Sequence, residues 1–505
     1  SIRIIGVCAF EGCSNLETLV IPEGVLSVGV SFISGSGIKT LSLPDSITTI
    51  MGGELKGSSC LESLTIPYIG FSVLSSGLTS AYYGFGYIFG TQSYDGSVAT
   101  VQGYETYYIP ETLTHLTVSG GKILSGAFSN SRLTSVTIGK NVTELSNSAF
   151  TGCTLLRTVR WNAVNCARSE TDLKSPLANI TSQFNLYIGE EVAALPDQAF
   201  ASCDNLNNVV IENGLTTIGE KAFYNCARLF SVEVPASVTK IGDYAFYNCP
   251  ILTNLYWSNG LTSVGKNAFG GDCSRISNIY YTGDIASWCG IQFNGDRANP
   301  LYVNPILYIN NVRVTELEIP YGVTSIGDYA FYGYSALARI HIPDSVRKIG
   351  ICAFEGTAYY NDESNWENSA LYIGNHLIRV KTDVTGAINV KQDALTIADG
   401  AFYNCDKVTS VVIPNGITRI GNHVFYYCRA LTNLEIPVSV TSIGNYAFYY
   451  CDSLSIDSLT GVTAIGEYAF YRCLLRNVVI ADGVTSIGDY AFYYCNGLKS
   501  IEIPN

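Results

Sequence analysis

The sequence predicts a mostly-β solenoid, with strands stacked into a parallel sheet, short helical turns between them, and about 22–23 residues per coil. Three observations carry this expectation. The dipeptide Ala-Phe occurs thirteen times, its Phe falling at Phe10, Phe128, Phe150, Phe200, Phe223, Phe246, Phe269, Phe331, Phe354, Phe402, Phe448, Phe470 and Phe492. Phe32, Phe425 and, in a degenerate copy, Leu55 hold the same place. Around each anchor the flanking columns repeat as regularly as the anchor itself. The composition is 47% hydrophobic, only 14% charged and rich in glycine, which favours packed β structure over disorder.

Each part of the coil has a physical reason, and the copy around Phe448 shows them in order. Leu431, Leu434 and Ile436 form an extended run with apolar side chains aimed inward. Pro437 cannot donate to a sheet ladder, so it fits the corner after the strand. Val440 and Ile443 mark a second short extended piece, and Gly444 supplies a tight corner. Asn445 then reads as the cap of a helical turn carrying Tyr446 to Cys451; Asp243, Asp328 and Asp489 take that capping place elsewhere. One coil cannot bury its own apolar face, so the core comes from stacking.

Four stretches break the period: Leu55 to Phe128, Phe150 to Phe200, Phe269 to Phe331 and Phe354 to Phe402. They place elaborated insertions near 68–118, 154–195, 274–318 and 357–395 of one continuous solenoid, 1–505. Asn310-Asn311 and Gly374-Asn375 lie between apolar alternations and predict β-hairpins. Both chain ends fall inside a repeat, so the expectation is a fragment with a signal peptide upstream and an anchor or further domains downstream.

The pattern L-x-x-L-x-I-P-x-x-V-T-x-I-G-x-x-A-F-x-x-C resembles the BspA-type leucine-rich repeat over nearly the whole chain. The resemblance implies a right-handed leucine-rich-repeat solenoid. It also implies a surface protein of host-associated anaerobic bacteria or of some mucosal protists, with adhesion to host matrix proteins or other cells as its role; the absence of an acid, base or nucleophile cluster above the repeat makes it a non-enzymatic one.

Charge and motifs narrow the classes further. A net charge of −13 repels a duplex, so nucleic acid is a poor partner. No stretch of eighteen apolar residues would span a bilayer. Eleven of sixteen cysteines share one column (Cys13, Cys153, Cys203, Cys226, Cys249, Cys273, Cys405, Cys428, Cys451, Cys473 and Cys495), one per coil. Stacked parallel neighbours lack the crossed geometry of a disulfide, so the column reads as a ladder of buried thiols. Ser131, Tyr334 and Thr357 replace Cys in that column, which a paired bridge would not tolerate. The histidines (His115, His341, His376 and His423) form no ligand or triad motif, and no phosphate loop is present; neither metal nor cofactor is expected.

Tyrosine is the informative excess, at 35 residues. One column directly follows the anchor and includes Tyr224, Tyr247, Tyr332, Tyr403, Tyr426, Tyr449, Tyr471 and Tyr493. A second lies two residues before it: Tyr244, Tyr329, Tyr446, Tyr468 and Tyr490. Ala and Phe take the inward places, so these rings face outward, either as a stacked shield or as an aromatic contact strip. The insertions offer a second candidate surface, through Tyr82, Tyr83, Phe85, Tyr87, Phe89 and Tyr94 in the first, Trp288 in the third and Trp366 in the fourth. Specificity needs a surface that does not repeat, so a ligand is expected on an insertion, foremost residues 78–108. Protein binding by a surface adhesin is the leading reading, carbohydrate binding the alternative, and an enzyme the third.

Overall fold

The structure is a computed structural model and describes residues 2–70, 84–168, 175–456, 458–480 and 482–503. It contains two compact units, Ser1–Leu261 with Asn267–Ile276, and Thr262–Lys266 with Ser277–Asn505. Each is a mostly-β solenoid of parallel strands.

In the first unit the long strands pair residue for residue across coils. Val136, Val159, Leu186, Val209, Val232 and Leu255 stand opposite one another on six successive strands. All six side chains are fully buried. Their outward neighbours Arg160, Tyr187, Val210, Glu233 and Tyr256 lie on the other face, as the two-residue period of a strand requires. A second row of two-residue strands, Ala194–Leu195, Thr217–Ile218 and Lys240–Ile241, forms the next side of the coil. The second unit repeats the plan. Gly386–Asn389, Val408–Val412 and Asn433–Glu435 pair in parallel, and Arg419–Ile420, Ser442–Ile443, Ala464–Ile465 and Ser486–Ile487 make the short row.

The anchor turn differs from the helical turn expected. Residues 445–450 are consecutive hydrogen-bonded turns. Tyr446 and Tyr450 adopt left-handed backbone, with φ of 57° and 58°, which interrupts any right-handed helical run. The freed amides point between coils: the Phe425 N–H donates to the Ala447 carbonyl and the Phe448 N–H to that of Ala469, at 2.8 and 2.7 Å. Asn445 accordingly does not cap its own turn. Its Oδ1 accepts from the Glu467 N–H of the next coil at 2.9 Å, as Asn422 accepts from Asn445 and Asp197 from Glu220. Short helices do occur, in the elaborated turns: Ile285–Cys289, closed by a capping box between Asp284 and Ser287, and Ala358–Asn361, capped by Thr357.

The anchors stack as a phenylalanine column. In the first unit Phe200, Phe223, Phe246 and Phe269 lie 5.6, 5.3 and 5.4 Å apart, nearly parallel. In the second, Phe402, Phe425, Phe448, Phe470 and Phe492 are 4.9 to 5.3 Å apart.

The cysteine column has a specific partner. Eight of its thiols donate to the carbonyl of an anchor one coil earlier, as from Cys153 to Phe128 (3.0 Å), Cys249 to Phe223 (3.4 Å) and Cys451 to Phe425 (3.0 Å), whereas Cys203 donates to the Ser175 hydroxyl and Cys405 to the Val380 carbonyl. Burial pushes these thiols above their usual range, so they stay protonated. Ser131, Tyr334 and Thr357 also bond from this place, to the Cys153 thiol, the Val314 carbonyl and the Phe354 carbonyl. All sixteen cysteines, each a described residue, are free thiols, and Cys8, Cys13 and Cys60 are exposed. Alkylation of the native chain should therefore modify those three quickly and half-buried Cys166 and Cys352 slowly. The other eleven should react only after unfolding. Rapid labelling of most thiols in the native chain would contradict the ladder.

Candidate functional site

The insertions supply core before they supply surface. In the first, Phe85–Phe89 forms a 3₁₀ turn, followed by the antiparallel hairpin Ser97–Gln102 with Glu105–Pro110. The Phe85 N–H donates to the Ala127 carbonyl at 3.0 Å, and its ring packs 6.0 Å from that of Phe128. Phe85 is thus an anchor in disguise. Phe89 meets it edge-on at 6.2 Å, and both are buried. Tyr87 is half-buried over Gly52, where a Cβ would come within 3.1 Å of its ring. Tyr94 is half-buried with its hydroxyl enclosed. Tyr82 and Tyr83 lie outside the described residues.

Trp288 is fully buried; its indole N–H donates to the Ala330 carbonyl at 2.9 Å and its ring meets Tyr281 edge-on. Trp366 is half-buried, its N–H committed to the Tyr360 carbonyl at 2.9 Å, with Lys381 Nζ 5.1 Å from its ring. The hairpins at Asn310-Asn311 and Gly374-Asn375 are both present. Aromatic clusters that read as contact surface in the sequence are spent closing turns that have outgrown the repeat. Phe85, Phe89 and Trp288 present no exposed face to a ligand.

The tyrosine columns behave differently. All are half-buried or exposed, and they stack into files. The file after the anchor runs Tyr403, Tyr426, Tyr449, Tyr471, at 4.9, 4.8 and 4.5 Å with interplanar angles of 2°, 7° and 14°. The file before the anchor runs His423, Tyr446, Tyr468, Tyr490, at 5.1, 5.1 and 4.8 Å. The files lean on each other at about 60°, as between Tyr446 and Tyr449. Tyr493 continues the first file at 5.8 Å, tilted by 41°. Among the described column residues of the first unit, Tyr224 and Tyr247 stack at 5.3 Å, with Tyr244 leaning on Tyr247. Tyr332 meets Tyr329 edge-on.

A third file was not singled out from sequence. Tyr427 and Tyr450 stack at 4.8 Å and 8°, with Arg429 and Arg472 over their rings at 5.1 and 4.8 Å. They occupy the second left-handed position of the turn, with φ of 60° and 58°, where Asn225, Asn248 and Asn404 stand in other coils. Asparagine adopts that conformation readily and tyrosine does not. The signal available was this substitution of Tyr for Asn two residues past the anchor. Burial, and then the neighbouring hydroxyls, push Tyr426 up to about 12 and raise Tyr449, so these phenols remain hydrogen-bond donors at neutral pH.

Other chemistry is sparse. Among the described residues, no three His, Cys, Asp or Glu side chains are grouped to hold a metal ion. His376 is buried against Thr396 at 2.9 Å, and burial lowers its pKa, so it is a neutral core residue. No described helix is long and apolar enough to cross a membrane.

A parallel-strand solenoid with one leucine-rich coil per period defines a class of repeat proteins. Residues 1–78, 105–192, 176–297, 304–432 and 395–505 match the BspA type leucine rich repeat region, and the chain belongs to that family. No curated protein matches the sequence. Among solved structures, similarity is found to a leucine rich cell surface protein from Faecalibacterium prausnitzii. It is 23% identical, covers 77% of this chain and 91% of that one, and has a TM-score of 0.31. A leucine-rich repeat protein from Bacteroides ovatus is 21% identical over 82% of this chain and 86% of its own (TM-score 0.26). The pneumococcal vaccine antigen PcpA is 15% identical over 81% and 86% (TM-score 0.26).

Proposed function

We propose that this chain is a non-enzymatic protein of the cell surface or extracellular space that binds other proteins, host matrix or cell-surface proteins among them. The tyrosine face of the coils from Tyr403 to Tyr471 is the contact region. The observation that carries this reading is the orientation of the rings. Tyr426 and Tyr449 each lie between a stacked ring before and one after, so their faces are covered and a ligand can meet only their edges. A sugar stacks on an aromatic face; a protein surface also accepts aromatic edges and phenol hydrogen bonds. The files therefore favour a protein ligand over the carbohydrate alternative. The net charge of −13 adds steering toward basic partners. Family membership supports the surface location and the adhesive role.

The first insertion remains the competing contact. Replacing 78–108 wholesale would strip Phe85 and Phe89 from the core, so the informative change is Tyr104→Ser at the exposed hairpin tip. Immobilised wild-type chain, Tyr104→Ser and a Tyr426→Ser/Tyr449→Ser/Tyr471→Ser variant should be challenged with a panel of matrix proteins and a glycan array. The expected result is capture of a protein that the triple variant loses, by about tenfold or more, and Tyr104→Ser keeps. Equal capture by the triple variant would move recognition to the insertions, and binding confined to glycans would refute the protein reading.

A further inference from the structure

We propose that the tyrosine files are a site of oxidative crosslinking, at which phenols of consecutive coils couple into dityrosine, with Tyr449 and Tyr471 the favoured pair. The observations are geometric. Tyr449 and Tyr471 lie 4.5 Å apart at 14°, the shortest spacing in the file from Tyr403 to Tyr471. Tyr450 leans on both, at 4.8 Å from Tyr449 and 5.3 Å from Tyr471, so three phenols converge. All three are half-buried: rings are held in place by packing, yet their edges are open to a small oxidant.

The step balances with hydrogen peroxide as oxidant, delivered through a haem peroxidase. Each of two phenols gives up one electron and one proton and becomes a phenoxyl radical. The peroxide takes both electrons and both protons and leaves as two waters. The radicals join through their ortho carbons, and each ring regains aromaticity by moving its ortho hydrogen to the oxygen. Radicals need not form on the reacting pair. Rings at 4.5–4.9 Å along the file from Tyr403 to Tyr471 let an electron vacancy move from coil to coil until two meet.

Accessibility alone would choose other residues. Tyr104 and Tyr321 are 90% and 88% exposed, but neither has a ring neighbour among the described residues. Radicals on them can couple only with another chain. The files hold a partner one coil away, so the product is an intrachain brace between residues 22 or 23 apart in sequence. Retention of Tyr427 and Tyr450 at backbone positions that suit asparagine fits a role for the rings beyond closing the turn.

The test treats dilute wild-type chain with hydrogen peroxide and a haem peroxidase, followed by cleavage at glutamates and mass spectrometry. Glu467 separates Tyr449 from Tyr471, and Glu435 separates Tyr426 from Tyr449, so each of these two couplings joins a different pair of peptides, and fragmentation of the joined peptide tells Tyr449 from Tyr446 and Tyr450. The expected result is dityrosine fluorescence in monomeric protein and a 449–471 joined peptide. Tyr471→Phe keeps the ring stack and the fold but removes the hydroxyl, and should abolish that peptide; Tyr104→Phe/Tyr321→Phe should leave it unchanged. Dityrosine found only between chains, or intrachain dityrosine of undiminished yield in a Tyr449→Phe/Tyr450→Phe/Tyr471→Phe variant, would overturn the proposal. Phenylalanine preserves ring area, so crosslinking can fail while protein binding survives, and the converse.

Discussion

Phe246→Ala should lower the stability of its unit by about 3–5 kcal/mol. The side chain is fully buried, sandwiched at 5.3 and 5.4 Å between Phe223 and Phe269. Its neighbours cannot close the gap, because the backbone fixes the separation of the coils. The Phe246 N–H donates to the Ala268 carbonyl at 2.8 Å, and its own carbonyl accepts the Cys273 thiol at 3.2 Å. A cavity of ring size is left open, and the full cost of the lost contacts is felt. Tyr247 is the next residue and stacks on Tyr224 at 5.3 Å, but it is only half-buried. Its removal should cost about 1 kcal/mol. Urea denaturation of the two variants measures both, and similar losses would contradict the assignment of inner and outer faces.

Glu54→Gln should stabilise the chain increasingly as pH rises, by a few kcal/mol near pH 8, on the order expected for a fully buried carboxyl. Glu54 stands in the alanine column of the degenerate copy at Leu55 and is fully buried. Its Oε1 accepts the Met51 N–H at 2.8 Å, while Oε2 has no partner among the described residues. Burial pushes its pKa up to about 8, with the Met51 N–H pulling the other way. The folded chain therefore holds a proton that the unfolded chain releases at an ordinary carboxyl pKa of about 4.3. Stability from the protonated form is complete below that value and is lost as pH climbs through about 8. Glutamine cannot ionise, so the two curves should meet near pH 4 and diverge above it. Parallel curves from pH 4 to 8 would mean that Glu54 ionises freely in the folded chain.

The solenoid is legible because stacking forces each coil to repeat the same compromise. Inward Leu, Val, Phe and Cys, the corner Gly and the turn Asn recur at fixed spacing, and the period names the fold without reference to any single contact. The anchor turn was misread for an equally physical reason. Spacings of three and four residues describe one face of a helix, and they also describe two overlapping turns with a left-handed residue in each, such as Tyr446 and Tyr450. Sequence spacing does not separate these; the direction of the N–H groups does. Three aromatics of the insertions read as exposed because periodicity is what reports burial. Where the period lapses, Phe85, Phe89 and Trp288 look like exposed aromatics although they complete the core. The outward tyrosine columns were legible, since the inner places were already filled. Their covered faces were not, because ring-to-ring contact arises between coils and no single repeat contains it.

The side-chain bonds from Asn422 to the Asn445 N–H, and from Asn445 to the Glu467 N–H, bear on how such a gene can change. The corner glycines make the coupling closer: a Cβ at Gly444 would come within 2.7 Å of the Asn422 nitrogen. Regular coils such as these are thus fitted to the one before them through equivalent atoms. Unequal recombination that adds or drops a whole period hands each coil an equivalent neighbour and leaves all of these contacts intact. An indel of one or two codons in the turn sets a side chain against a backbone that has no room for it. Copy number is accordingly the variable this architecture leaves free, and it lengthens or shortens the tyrosine files one rung at a time.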